Sequence, residues 1–366
     1  VGVVALCLVV ALPLAVGAWY SMVQRDLLNT VFADGASATR PNADPSNPWK
    51  GVGRVNVLLL GGDGGVDRVG IRTDSMIVAS IDTTTGDTTL FSVPRNLMDA
   101  PFPKDSPLHK AYPDGFTGEG DAGEWMLNAV YRNVPAQHPG ILGDSDNEGA
   151  DALKLAMTGI LGIRVDYYLL VNLAGFEKIV DAIGGVTVNI NQPIPIGGNT
   201  DKGIPPKNYL DPGPHQHLDG FHALWFSRGR YGLDDYNRME RQRCMTKAII
   251  DEANPLTLLR RYQALAEAGK KIVRTDIPQD MLKPFVELGL EVKDGHFKSV
   301  VFRPSEHFQP ADPDYDWLHK AVQKALGNAP ESKHGKKHDK PSESPSPTRS
   351  PSSEAPNDPC GYHPVG

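Results

Sequence analysis

An α/β fold is what the sequence predicts, on three observations. Short β-type apolar runs end at glycine or proline turns, helical stretches alternate with further runs of that kind, and one stripe, Phe176, Ile179, Val180 and Ile183, recurs at helical spacing. With 366 residues and 40% hydrophobic content, the chain can bury one large core or two modest ones. Its formal net charge of −7 speaks against a nucleic-acid binder.

The two ends lie outside this pattern. Residues 1–24, VGVVALCLVVALPLAVGAWYSMVQ, carry no charge, and about twenty consecutive apolar residues span a bilayer core. Trp19 and Tyr20 fall where an interfacial aromatic belt belongs. A cleaved signal peptide is the alternative, but the apolar part exceeds the usual length of such a core, so a transmembrane anchor is expected. The chain opens on Val1 without a basic flank, so charge does not set its orientation. Residues 25–53, rich in Ala, Asn, Asp and Pro without periodicity, read as a stalk linker. Residues 330–366, rich in Ser, Pro and Lys with almost no apolar side chains, read as a disordered tail.

Between them the elements follow in order. Arg54–Leu60 (RVNVLLL) is a strand that stops at Gly61-Gly62-Asp63-Gly64-Gly65, and Ser75–Ile81 (SMIVASI) is a second. Thr88–Val93 follows a Thr85-Gly86-Asp87 turn and ends at Pro94-Arg95; it should pair antiparallel with the second strand, which gathers Asp74 and Arg95. Residues 100–149 are Pro- and Gly-rich around a helix near 124–133, an insertion long enough to suggest a lid or rim. A helix over 150–161, a strand over 166–173 and the striped helix over 174–183 come next; Gly184-Gly185 caps that helix before the strand VTVNI. The stripe reads as core rather than ligand site. A loop over 193–214, a helix ending near 253, a further helix over 255–272 and a strand in KSVVFRP complete the ordered part.

Chemistry concentrates between Asp219 and Lys247. The aromatic run Ala223–Phe226 gives way to Arg228 and Arg230, and after Asp234 and Asp235 come Arg238, Arg241 and Arg243, five arginines in sixteen positions. In an extended segment Arg228 and Arg230 would leave a strand end on one side. Guanidinium forks match phosphate oxygens in pairs, so the cluster reads as a phosphate or pyrophosphate cradle. The plainer alternative is a salt-bridged helix start, with Asp234 and Asp235 neutralising Arg238 and Arg241. Arg241 and Arg243 are expected on the helix surface.

Asp63 and Asp74 flank one loop between strands; such carboxylates facing arginines suit a hard divalent ion such as Mg2+ held jointly with phosphate oxygens. A simple turn in GGDGG is the alternative for Asp63. The loop lacks the signatures of a Walker motif and of a dinucleotide fingerprint. Ser227 has no GxSxG context, and His215 and His217 read as exposed. Of three cysteines, Cys7 lies in the apolar N-terminus, and the remaining pair has no zinc-ligand spacing. An oxidising compartment could join Cys244 to Cys360.

VNVLLLGGDGG, IRTDSMIVASID, LFSVPRN, LNAVY, VDYYLLVNLAGFEKIVDAIGGVTVNI and HLDGFHALWFSRGRYGLDDYNRMERQR together resemble the LytR–CpsA–Psr family of cell-wall glycopolymer ligases over residues 54–253; the PRNL form resembles its actinobacterial branch. The resemblance implies a membrane-anchored protein whose extracytoplasmic domain is an α/β/α sandwich around a central mixed β-sheet, with a hydrophobic channel for a polyprenyl pyrophosphate. Residues 254–329 then form a C-terminal extension packed on that domain. The implied activity is Mg2+-assisted transfer of a glycosyl-phosphate polymer (teichoic acid-like, capsular or arabinogalactan-like) from its polyprenyl carrier to a peptidoglycan hydroxyl. A polyprenyl-pyrophosphate phosphatase and a non-catalytic polymer-binding protein are the competing classes.

Residue by residue, the resemblance assigns Asp63 and Asp74 to the metal. It assigns Arg72, Arg95, Arg228, Arg230, Arg238 and Gln242 to the pyrophosphate, with Arg95, Arg228, Arg230 and Asp74 in catalysis. Two departures stand out. Gly65 replaces a common arginine, with Arg68 nearby, and Asn96 replaces the acidic partner of Arg95.

Overall fold

The first strand is apolar on both faces and takes a central place in the sheet, as such runs do. The computed structural model describes residues 36–62, 73–199, 202–253, 273–328 and 360–364, with the side chains of Asp74 and Val273 excepted. Strands β1 (Arg54–Gly62), β2 (Thr73–Asp82) and β3 (Thr88–Ser92) form an antiparallel meander. Beside β1 lies β4 (Tyr167–Asn172), running parallel to it. Two more strands complete a mixed six-stranded sheet in the order β10-β3-β2-β1-β4-β9: β9 (Val273–Thr275) and β10 (Phe297–Val301). These two edge strands both come from beyond residue 253. The expected boundary there is therefore corrected: the 254–329 stretch helps build the sheet.

Helices cover both faces. Leu58, Leu60, Met76, Val78, Phe91 and Leu170 meet the buried sides of α2 (Leu127–Gln137) and α3 (Glu148–Leu161) in one large core. A five-residue helix, α1 (Pro107–Ala111), precedes them. Val55, Val57 and Tyr167 on the opposite face pack with Leu288 and Val292 of α7 (Leu282–Asp294). The insertion read as a lid or rim is not one in its first half, since Ala100, Phe102, Leu108, Tyr112 and Phe116 are buried in the large core. A last helix, α8 (Tyr315–Ala325), adds Leu318 and Val322 to it.

A second unit carries the arginines. Helix α4 (Leu173–Ile183) starts as β4 ends, with Asn172 accepting a hydrogen bond from the Gly175 amide at 2.7 Å, and stops at Gly184, whose φ of +97° only glycine adopts easily. Val180 is its buried contact, and Phe176 and Ile183 pack partly buried beside it, so three residues of the stripe join the core as expected, while Ile179 is only half-buried. Strands β5 (Val186–Ile190) and β8 (Gly213–Leu218) pair antiparallel; so do β6 (Ile194–Ile196) and β7 (Asn208–Leu210). Their apolar residues share a core with Ala223 and Phe226 of α5 (Gly220–Arg228) and with Met245 and Ala248 of α6 (Asp235–Glu252).

Both ends of the chain depart from expectation where they are described. From Ala36 the stalk is pinned to the domain: Ser37 and Thr39 donate hydroxyl hydrogen bonds to Asp151 at 2.7 and 2.6 Å, and Arg40 donates to the Asp276 carbonyl at 3.0 Å. The tail is anchored near its end, because Cys360 is disulfide-bonded to Cys244 of α6 and the backbone at 360–363 exchanges hydrogen bonds with Asn189 and Asn191. The anchor expected at 1–24 and the helix expected at 255–272 lie outside the described residues. Among the described residues no helix is long and apolar enough to cross a membrane.

Candidate active site

Asp219 sets the arginine corner in place. Its carboxylate caps α5 by accepting from the His222 amide at 2.9 Å, which holds the Asp219 carboxyl below its usual range. Gly220 lets this start lie against α4: a Cβ there would meet the Glu177 carbonyl oxygen at 2.1 Å. The segment read as extended is thus a helix, and the strand-end geometry expected for Arg228 and Arg230 is corrected. Helix packing overrides the local β preference of the run Leu224-Trp225-Phe226, burying Leu224 and Phe226.

Arg228 is the last residue of α5, at the negative end of its dipole, and its guanidinium lies 4.9 Å from the Trp225 ring centroid. Arg230 follows two residues later, past Gly229, and both arginine side chains are exposed. Ser227 is engaged elsewhere, donating to the Ala223 carbonyl at 2.9 Å. His215 and His217 are exposed on β8.

Asp234 caps α6, accepting from the Asn237 amide at 2.7 Å. The next residue, Asp235, joins two distant elements. Its Oδ2 accepts from Arg238 Nη2 at 3.0 Å and its Oδ1 lies 4.0 Å from Nε of Arg95, which follows β3. Asp235 therefore supplies the acidic partner that Asn96 does not, from another part of the chain. The sequence offered one signal for half of this, the i, i+3 spacing of Asp235 and Arg238. Gln242 lies one turn further along α6, partly buried.

Arg241 and Arg243 are not on the surface: they are 8% and 5% exposed. The Arg241 guanidinium donates to the Phe226 carbonyl at 2.7 Å and to the Gly229 carbonyl. The neutralisation of Arg241 by Asp234 or Asp235 is thus replaced by carbonyl contacts, whereas Asp235 and Arg238 do pair.

Of the two carboxylate residues at the sheet end, the backbone of Asp74 is placed. Gly62, which precedes Asp63, pairs with Thr73, which precedes Asp74; Gly61 pairs with Ser75, so Asp74 is the extra residue of a bulge. Bulges re-aim side chains and recur beside active sites. On its other side β2 pairs with β3, and the Val93 amide donates to the Met76 carbonyl at 3.2 Å, so the start of β2 lies beside the end of β3, where the chain turns through Pro94 into Arg95. Asp63, Arg68 and Arg72 lie outside the described residues. Among the described residues no group of three or more His, Cys, Asp or Glu is placed to hold a metal. A surface cavity of about 760 Å³ opens elsewhere, lined by Arg40, Tyr167 and Asp280 among others, and none of the site arginines among the described residues borders it.

The family model for the LytR_cpsA_psr family matches residues 29–305. A TagU protein of Bacillus cereus, described as a polyisoprenyl-teichoic acid–peptidoglycan teichoic acid transferase, is 34% identical over 136 residues, 37% of this chain and 41% of that protein. The cell wall biosynthesis protein LcpA of Corynebacterium glutamicum is 26% identical over 61% of this chain and 45% of its own. This chain spans between 41% and 63% of the length of the first curated relatives it matches. Among solved structures, protein gbs0355 of Streptococcus agalactiae aligns with a TM-score of 0.54 at 24% identity, covering 79% of this chain and 93% of that one, which shows the shared fold.

Proposed function

Because the chain belongs to the LytR_cpsA_psr family, we propose that it transfers a glycosyl-phosphate polymer from a polyprenyl pyrophosphate to a peptidoglycan hydroxyl. The observation that carries this reading is the linked arginine corner: Asp235 ties Arg95 to Arg238, while the end of α5 presents Arg228 and Arg230 a few residues before α6 begins. The names of relatives point the same way, since TagU proteins are described as teichoic acid–peptidoglycan transferases.

In this reaction the acceptor oxygen attacks the phosphorus that carries the polymer. The bond from that phosphorus to the bridging oxygen breaks, polyprenyl phosphate leaves, and the acceptor loses its proton. Charge grows on the bridging and non-bridging oxygens, so catalysis rests on positioned cations. Arg228 and Arg230, exposed at the end of α5, would contact the phosphates, with Arg95, Arg238, Arg72 and Gln242 completing the cradle. Asp74, at the start of β2 beside the end of β3, is the candidate to take the acceptor proton.

Asp63 and Asp74 are the residues proposed to hold Mg2+. Their hard oxygen donors suit such an ion, which would neutralise phosphate charge when bound. For the lipid, β1 and β4 offer Leu59, Leu169 and Val171 on one face, each only half-buried, beside α4. The Cys244–Cys360 disulfide suits an oxidising, extracytoplasmic location, with residues 1–24 as the proposed membrane anchor.

The test is incubation of the purified chain with a lipid-linked donor and a peptidoglycan oligomer, read by mass. A phosphodiester-linked product is expected. Release of free polymer phosphate with water as acceptor would make the protein a phosphatase, and no turnover at all would leave a binding module.

A further inference from the structure

Three charged groups stand out as buried and unused by the reaction above: the Asp151–Lys154–Asp276 cluster under the stalk, Arg243, and Arg241. Of these, Arg241 touches the backbone that carries site residues. We propose that Arg241 is a positioning residue for the transfer, fixing the corner between α5 and α6 so that Arg228 and Arg230 reach one pyrophosphate. The proposal rests on the transfer reading and adds to it a residue that never meets substrate.

The geometry is specific. The last carbonyls of a helix have no partner within it. At the end of α5 the Gly229 amide takes up the Trp225 carbonyl at 2.8 Å, and there the helix stops, because Gly229 turns to φ −58° and ψ 124°. The next carbonyl, Phe226, is taken by Arg241 Nε at 2.7 Å from fifteen residues away. Arg241 Nη2 takes the Gly229 carbonyl, which belongs to the peptide unit leading into Arg230. One planar guanidinium thus grips the chain on both sides of Arg228 and at the root of Arg230. Gly229 leaves room for little else, since a Cβ there would meet the Pro195 carbonyl oxygen of β6 at 2.5 Å.

The grip is costly. Burial, and secondarily the nearby Arg238, push the Arg241 guanidinium down to about 10, still charged at neutral pH. Water could satisfy both carbonyls without that cost, but it would not hold them at a fixed separation. Lysine cannot replace the fork either, because one ammonium on a flexible stem does not match two acceptors arranged for planar donors. The exposed arginines are therefore set by a buried one. A misplacement of about 1 Å at such a site can cost on the order of a hundredfold in rate.

The experiment uses the full chain with a lipid-linked donor and a peptidoglycan acceptor. Arg241→Lys and Arg241→Met, each checked by circular dichroism to be folded at the assay temperature, should lower kcat/KM by roughly ten- to a hundredfold. The decisive readout is coupling. Arg230→Lys should be markedly less harmful in the Arg241→Met background than in the unmodified protein, because the fork it removes is already misplaced. A role in stability alone would leave the cost of Arg230→Lys unchanged, and that additivity would overturn the proposal. So would full activity of both folded Arg241 variants. If Arg228→Lys and Arg230→Lys are themselves without effect, the transfer reading fails first, which separates the two outcomes. Should the Met variant fail to fold, Arg241→Lys keeps the charge and carries the same test.

Discussion

Replacing Lys154 with Met should destabilise the protein severely and in a pH-dependent way. Lys154 is fully buried, with Nζ 2.6 Å from Asp276 Oδ2 and 3.8 Å from Asp151 Oδ1, so one cation serves two buried carboxylates. Met keeps the apolar stem and removes the charge. Asp151 would retain donors from Ser37, Ala38, Thr39 and Ser145 at 2.6 to 3.0 Å. Asp276 would keep the Tyr168 amide at 2.7 Å on Oδ1, but near Oδ2 only the Ser37 hydroxyl at 3.3 Å, whose single proton is already given to Asp151 at 2.7 Å. Asp276 is thus the group left stranded, and breaking a buried pair from one side costs about 3–5 kcal/mol. Burial already raises the Asp276 carboxyl, with Lys154 the main opposing influence. An acid raised in the folded state binds protons more tightly there, so stability falls as pH rises through its unfolded and then its folded pKa. Without Lys154 the rise is larger, and the deficit should shrink from pH 8 to pH 5. Urea denaturation followed by tryptophan fluorescence measures it, and Lys154→Met/Asp276→Asn should regain more than half of the loss. A deficit under about 1 kcal/mol, or one that grows on acidification, would refute the reasoning.

Two further outcomes are expected. Asp219→Ala should cost about 1 kcal/mol by removing the cap of α5. Because the Asp219 carboxyl is lowered in the folded state, chiefly by the His222 amide, its contribution is present above the ordinary value of 3.8 and lost as pH falls through the folded value. Urea midpoints of the variant at pH 6 and pH 3 should therefore differ less than those of the parent. Reduction of the Cys244–Cys360 bond, which closes a separation of 116 residues, should remove up to about 5 kcal/mol on the chain-entropy account. A Cys360→Ser variant should start at the lowered midpoint and ignore reductant.

The meander β1–β3, the capped helix α4 and the strand β5 were legible because apolar period and turn residues agree there. The edges of the sheet were not. Three-residue β9 carries no usable period, and the pairing of β10 beside β3 is a long-range contact that local pattern does not encode. Helix α5 was misread because β-favouring aromatics sit together in a nine-residue element whose identity rests on the Asp219 cap and on packing. The same cause hid Arg241: five arginines in a row of polar residues look like a solvated face, and burial of three of them, Arg238, Arg241 and Arg243, depends on which way α6 docks. Asp235 could be paired with Arg238 from spacing, but its approach to Arg95 needs the fold, because 140 residues separate them.

The account stands on the corner of α5 and α6 being a pyrophosphate cradle, and donor turnover in single Arg→Lys variants tests that most directly. Arg228→Lys and Arg230→Lys keep the charge and lose the planar fork, so each should reduce donor affinity or rate by roughly ten- to a hundredfold, the equivalent of about 1.5–3 kcal/mol for a charge-assisted contact. Lys247→Gln on the exposed side of α6, which breaks only its pair with Asp251, should change either quantity less than about twofold. Equal, small losses in all three variants would contradict the account and leave the arginine corner a solvated helix junction.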